Sequence, residues 1–200
     1  MPEHLFGRTG MSLRLTIDFL KEFCRRGHYR EEDFYQLERV ASDLKGCCKD
    51  RECFEAIVYD TYADIVITLG EGVDYLQEKY TRAEDVLKQW MLENLTGELF
   101  MQEYTRIQKR IMSHTKMGVG HMHFWGSEEK YPLEQIPVIL QDFSSIRINC
   151  TKDFCLRPSK SVLYRLDLNK SRNLNSQRGI PCDTCTRNHE GEECVCRMYN

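Results

Sequence analysis

Two hundred residues, 41% apolar and 30% charged, suit one ordinary domain with its own core and exclude a globally disordered chain. A formal charge of -3 excludes a uniformly basic nucleic-acid binder, although fields act locally and a basic patch stays open. No stretch approaches the ~20 apolar residues of a membrane span. The opening MPEHLFGRTGMSLRL also lacks the apolar core of a secretion signal. The chain therefore reads as intracellular, in cytoplasm or nucleus, with its ten cysteines serving as core thiols or metal ligands.

In chain order, MSLRLTIDFLKEFCRRG spaces Leu13, Ile17, Leu20 and Phe23 or Cys24 as one face of a helix that stops at Gly27. REEDFYQLERVASDLKG opens on three acids, which suits a helix N-terminus, and buries Phe34, Leu37, Val40, Ala41 and Leu44. ECFEAIVYDTYADIVITLG reads as a longer, central helix ending at Gly70, with its β-branched content making a strand the minor alternative. Thr81 with Glu84 has the capping-box pattern, predicting a helix from there to about Leu95. Thr96 caps a further helix through Phe100, Tyr104, Ile107 and Ile111.

Beyond Met117 the pattern changes. The segments IPVILQDF, SSIRINC and SVLYRLDLN read as strands. The predicted architecture is mainly α, and α+β overall. It has an N-terminal bundle of five or six helices (1–117), a small β-rich subdomain packed on it (118–168), and a basic linker with a zinc-stabilised tail (169–200).

Three groups carry possible chemistry before the tail. Cys47, Cys48 and Cys53 surround the predicted start of the third helix, where a helix N-terminus with Lys49 and Arg51 lowers a thiol's pKa. With His28 or His121 as base, they define a cysteine-nucleophile hydrolase reading. His121 and His123 share one face if GHMHFWG is extended, and His114 is near in sequence. That H-x-H has no acid or cysteine beside it and reads as a donor-rich surface turn. Cys150 and Cys155, spaced C-x4-C, close a loop and are second metal candidates.

The tail PCDTCTRNHEGEECVC concentrates Cys182, Cys185, His189, Cys194 and Cys196. C-x2-C lets two thiolates reach one tetrahedral ion, and so few apolar residues surround it that a metal would supply the folding energy. Structural zinc is the expected cofactor. Three ligand sets remain open: Cys182, Cys185, His189 and Cys194; the four tail cysteines without His189; or Cys150 and Cys155 with Cys182 and Cys185. The first spacing resembles the zinc knuckle of retroviral nucleocapsids, which has one more residue before its His. The knuckle's aromatic and glycine residues are absent here, so base readout does not follow from the resemblance. A catalytic zinc of the deaminase kind needs H-x-E upstream, and no histidine here has Glu two residues on.

Between Leu156 and Arg178 stand Arg157, Lys160, Arg165, Lys170, Arg172 and Arg178 against Asp167 alone, with Tyr164 among them as a stacking ring. Such a basic stretch beside a zinc tail is a common layout for RNA or DNA contact. The expected function is therefore a non-enzymatic intracellular regulatory protein. Its helical domain would contact another protein, and its basic C-terminal part would contact nucleic acid or an acidic partner. A pure protein adaptor and a cysteine hydrolase are the alternatives.

Overall fold

The computed structural model describes residues 2–8, 15–27, 29–48 and 53–170. In chain order these form β1 (Glu3–Arg8), α1 (Ile17–Arg26), α2 (Phe34–Cys48), β2 (Cys53–Val58), β3 (Tyr62–Thr68), α3 (Glu71–Arg82), α4 (Val86–Thr115), β4 (Gly118–Phe124), α5 (Ile136–Leu140), β5 (Asn149–Cys150), β6 (Leu156–Arg157) and β7 (Ser161–Asn169). The five longer strands make one sheet in the order β1-β2-β3-β7-β4, with every neighbouring pair antiparallel, and β5 and β6 form a separate small hairpin.

This overturns the predicted helical bundle: the architecture is α+β, with a five-stranded sheet at its centre. The decisive difference lies at residues 53–68, predicted as a central helix and folded as the hairpin β2–β3. Both faces of β3 are covered, so its side chains are apolar almost without a break, from Ala63 to Ile67 apart from Asp64. Such a run matches a buried helix as well as a buried strand. Ile57, Val58, Ile65, Val66 and Ile67 tip the balance to the strand, where β-branched side chains keep their preferred rotamers.

Strand alternation sends residues to two cores. On one face, Phe54, Ala56, Ile65, Ile67, Tyr164 and Leu166 pack with Leu37, Leu44, Leu92, Leu95, Leu99 and Ile107 of the helices. On the other, Ile57, Val66 and Leu163 meet Trp125, Tyr131, Ile136, Phe143 and Ile146 from the segment between β4 and β5.

The segments predicted to hold two helices about Thr81–Leu95 and from Thr96 become the end of α3 and the single thirty-residue α4. The Thr81 hydroxyl turns back to the Gln77 carbonyl at 2.7 Å, and Asp85 is the working cap, accepting from the Lys88 backbone N–H at 3.1 Å. Thr96 Oγ1 likewise bonds the Glu93 carbonyl at 2.9 Å inside the helix. IPVIL, predicted as a strand, forms α5, with Pro137 in its first turn where no N–H is missed. Only Asn149 and Cys150 of SSIRINC are in a strand. No described helix is long and apolar enough to cross a membrane.

Candidate metal centre

β4 is an edge strand, and a register irregularity between Val119 and Met122 interrupts its pairing with β7. Met122 and Phe124 face the helical core, so His121 and His123 project from the opposite face. Their rings lie 4.6 Å apart between centroids. After Trp125 the chain reverses. Gly126 takes φ +87, a left-handed backbone that suits glycine, and its N–H donates to the Tyr131 carbonyl at 2.6 Å. That reversal brings Glu128 back onto β4.

Glu128 Oε1 then lies 2.8 Å from His123 Nδ1, and Asp167 Oδ2, from β7, lies 3.2 Å from His123 Nε2. Tyr131 stacks on the His123 ring at 4.7 Å, and Trp125 meets Tyr131 edge-on at 5.6 Å. Among the described residues, ligand atoms of His121, His123 and Glu128 all lie within 4.8 Å of one another. Two imidazoles and a carboxylate suit a divalent transition-metal ion, with His donors favouring zinc, copper, iron or nickel over magnesium or calcium.

An ion pair and a cation–π contact form the floor beside the cluster. Arg165, opposite His123 in register, gives Nε and Nη2 to Asp64 at 2.7 and 2.8 Å, and its guanidinium sits 3.9 Å over the Tyr62 ring. The Asp64 hydrogen bonds, outweighing burial, push the Arg165 pKa up, so the charge is permanent.

The sequence offers His121 and His123 but not their acids. Glu128 is five residues beyond His123, across a turn, and Asp167 reaches the ring only through β4–β7 pairing. His114, considered with them, pairs instead with Glu3 at 3.0 Å.

The remaining predicted residues are placed as follows. Cys182, Cys185, His189, Cys194, Cys196, Arg172 and Arg178 lie outside the described residues. Cys150 sits half-buried in β5 opposite Leu156, and Cys155 is exposed in the hairpin loop. Burial first, and then the neighbouring Cys155, push the Cys150 thiol up. Cys47 and Cys48 end α2 instead of starting a helix, so the dipole argument for an activated thiol reverses there. The side chain of Cys53 and residue His28 are outside the description.

Among the basic residues, Arg157 in β6 and Lys170 just past the end of β7 are exposed. Lys160 holds Glu93, and Arg165 holds Asp64. Tyr164 is completely buried against Tyr104 and Phe124, which corrects its expected role as a base-stacking ring.

No protein-family model matches the chain, and no curated protein matches it in sequence.

Proposed function

We propose that the chain is a non-enzymatic, metal-dependent regulatory protein of the cell interior. The single observation carrying this reading is the convergence of His121, His123 and Glu128. His121 and His123 belong to the sheet, whereas Glu128 belongs to the turn that leads into the outer layer of Trp125, Tyr131 and Ile136. An ion shared between them ties that layer to the sheet edge, so metal availability sets the state of one face of the molecule.

The proposed partner is another protein meeting the helical face. Supporting this, Val86 and Trp90 lie one helical turn apart on α4 and are 73% and 59% exposed. A nucleic-acid partner is less favoured, because two of the four described basic residues, Lys160 and Arg165, are engaged by Glu93 and Asp64. The zinc tail at Cys182–Cys196 stays a separate proposal about residues beyond the described ones.

Thermal unfolding with and without Zn2+ tests the reading, in the 200-residue chain carrying Cys182→Ser, Cys185→Ser, Cys194→Ser and Cys196→Ser to silence the tail. A ligand at one hundred times its Kd stabilises the folded state by about 2.7 kcal/mol. A rise in Tm that disappears in His121→Ala is expected. An equal rise in that variant contradicts the assignment.

A further inference from the structure

We infer that Asp167 is the positioning partner of His123, and that the centre therefore offers three protein donors and keeps one coordination position for a small external anion. This rests on the metal reading proposed above and deepens it.

The two ring nitrogens of His123 are committed in different directions. Nδ1 faces Glu128 at 2.8 Å, and Nε2 faces Asp167 at 3.2 Å. Glu128 belongs with His121 and His123 in the convergent group, whereas Asp167 is outside it. An ion between His121 and Glu128 takes the Nδ1 lone pair. Nε2 then carries the ring proton and donates to Asp167. The nitrogens point to opposite edges of the ring, so a carboxylate bonded at Nε2 does not reach an ion bound at Nδ1.

This is the carboxylate–histidine–metal arrangement, in which the outer carboxylate fixes tautomer and ring orientation and makes the imidazole a better donor. Tyr131 stacked on the ring restrains it further. The ladder pairing Tyr62 with Asp167 in β3 and β7 fixes the strand that carries the carboxylate.

With Asp167 occupied at Nε2, the ion's protein ligands are two nitrogens and one carboxylate. Closed structural zinc sites use four protein ligands, whereas three-ligand sites hold an exchangeable fourth. A 2+ ion with one carboxylate ligand leaves one positive charge in the inner shell, which favours an anion there. Glu128 and Asp167 side chains are 39% and 47% exposed, so solvent anions have access.

The test uses the 200-residue chain with Cys182→Ser, Cys185→Ser, Cys194→Ser and Cys196→Ser, loaded with Co2+, and reads the visible absorption of the bound ion. Azide is the probe. The expected results are a spectral change on adding azide and a Co2+ affinity about 10–100-fold weaker in Asp167→Asn with an unchanged azide-free spectrum. Asp167→Glu should recover part of the affinity. A spectrum unaffected by azide overturns the open position. An Asp167→Asn spectrum showing one protein oxygen donor fewer makes Asp167 a ligand and overturns its positioning role. Co2+ binding that ignores His121→Ala removes the metal reading itself, and is distinguishable from both.

Discussion

Arg165 lays Nε and Nη2 on the two carboxylate oxygens of Asp64, at 2.7 and 2.8 Å, across the β3–β7 pair. Asp64 is nearly inaccessible, and the pair stands in register with His123 on the next strand. Removing one member of such a pair leaves a poorly solvated charge behind, at a cost on the order of 3 kcal/mol. Asp64→Ala should therefore lower the urea midpoint accordingly, and it should weaken Zn2+ binding as Arg165 is released beside the site. A variant as stable as the parent would show that the pair contributes nothing.

Glu55 in β2 organises the outer layer from the opposite end. Its carboxylate is buried and accepts the backbone N–H groups of Ser144 and Ser145 at 3.2 and 2.8 Å. Hydrogen bonds to an ionised group are worth about 1.5–3 kcal/mol each, and truncation leaves both N–H groups without this acceptor. Glu55→Ala should cost about 3 kcal/mol in chemical denaturation. Hydrogen exchange should quicken at 144–145 before it does in α4. Unchanged exchange there would contradict this role.

Glu103 carries a pH signature. Burial pushes its carboxyl above the ordinary range, with Arg106 at 2.7 Å pulling only partly back. A carboxyl whose folded pKa is raised costs stability above that pKa, and the cost vanishes as pH falls below the unfolded value. Glu103→Gln is thus predicted to be more stable than the parent near about pH 7, with the difference closing below about pH 4. Thermal melts across that range decide it, and a glutamine variant weaker at neutral pH would show that the Arg106 attraction outweighs burial.

Legibility of the sequence followed exposure. The stripe on α2 and the alternation on β7 were readable because each element keeps one face polar or half-exposed, and Leu37, Val40, Ala41 and Leu44 are indeed buried. β2 and β3 are not legible as strands because burial on both faces erases the two-residue period that identifies a strand. The break expected at Thr96 failed because a hydroxyl inside a helix bonds the preceding turn as readily as it caps. At the metal centre, His121 and His123 are a visible local pair, but without an acid beside them in sequence they read as a surface turn, and they lie in β4. Glu128 was not, because it returns across a turn built on Gly126. Asp167 was not, because only the antiparallel pairing of β4 with β7 sets it beside His123.

The most direct measurement is equilibrium dialysis of the 200-residue chain against Zn2+, in a background with Cys182→Ser, Cys185→Ser, Cys194→Ser and Cys196→Ser, followed by metal analysis. Three converging donors predict one ion per chain, lost when His121 and His123 are both changed to Ala and weakened in Glu128→Gln. An ion retained without both histidines, or no ion bound when they are present, would contradict the account.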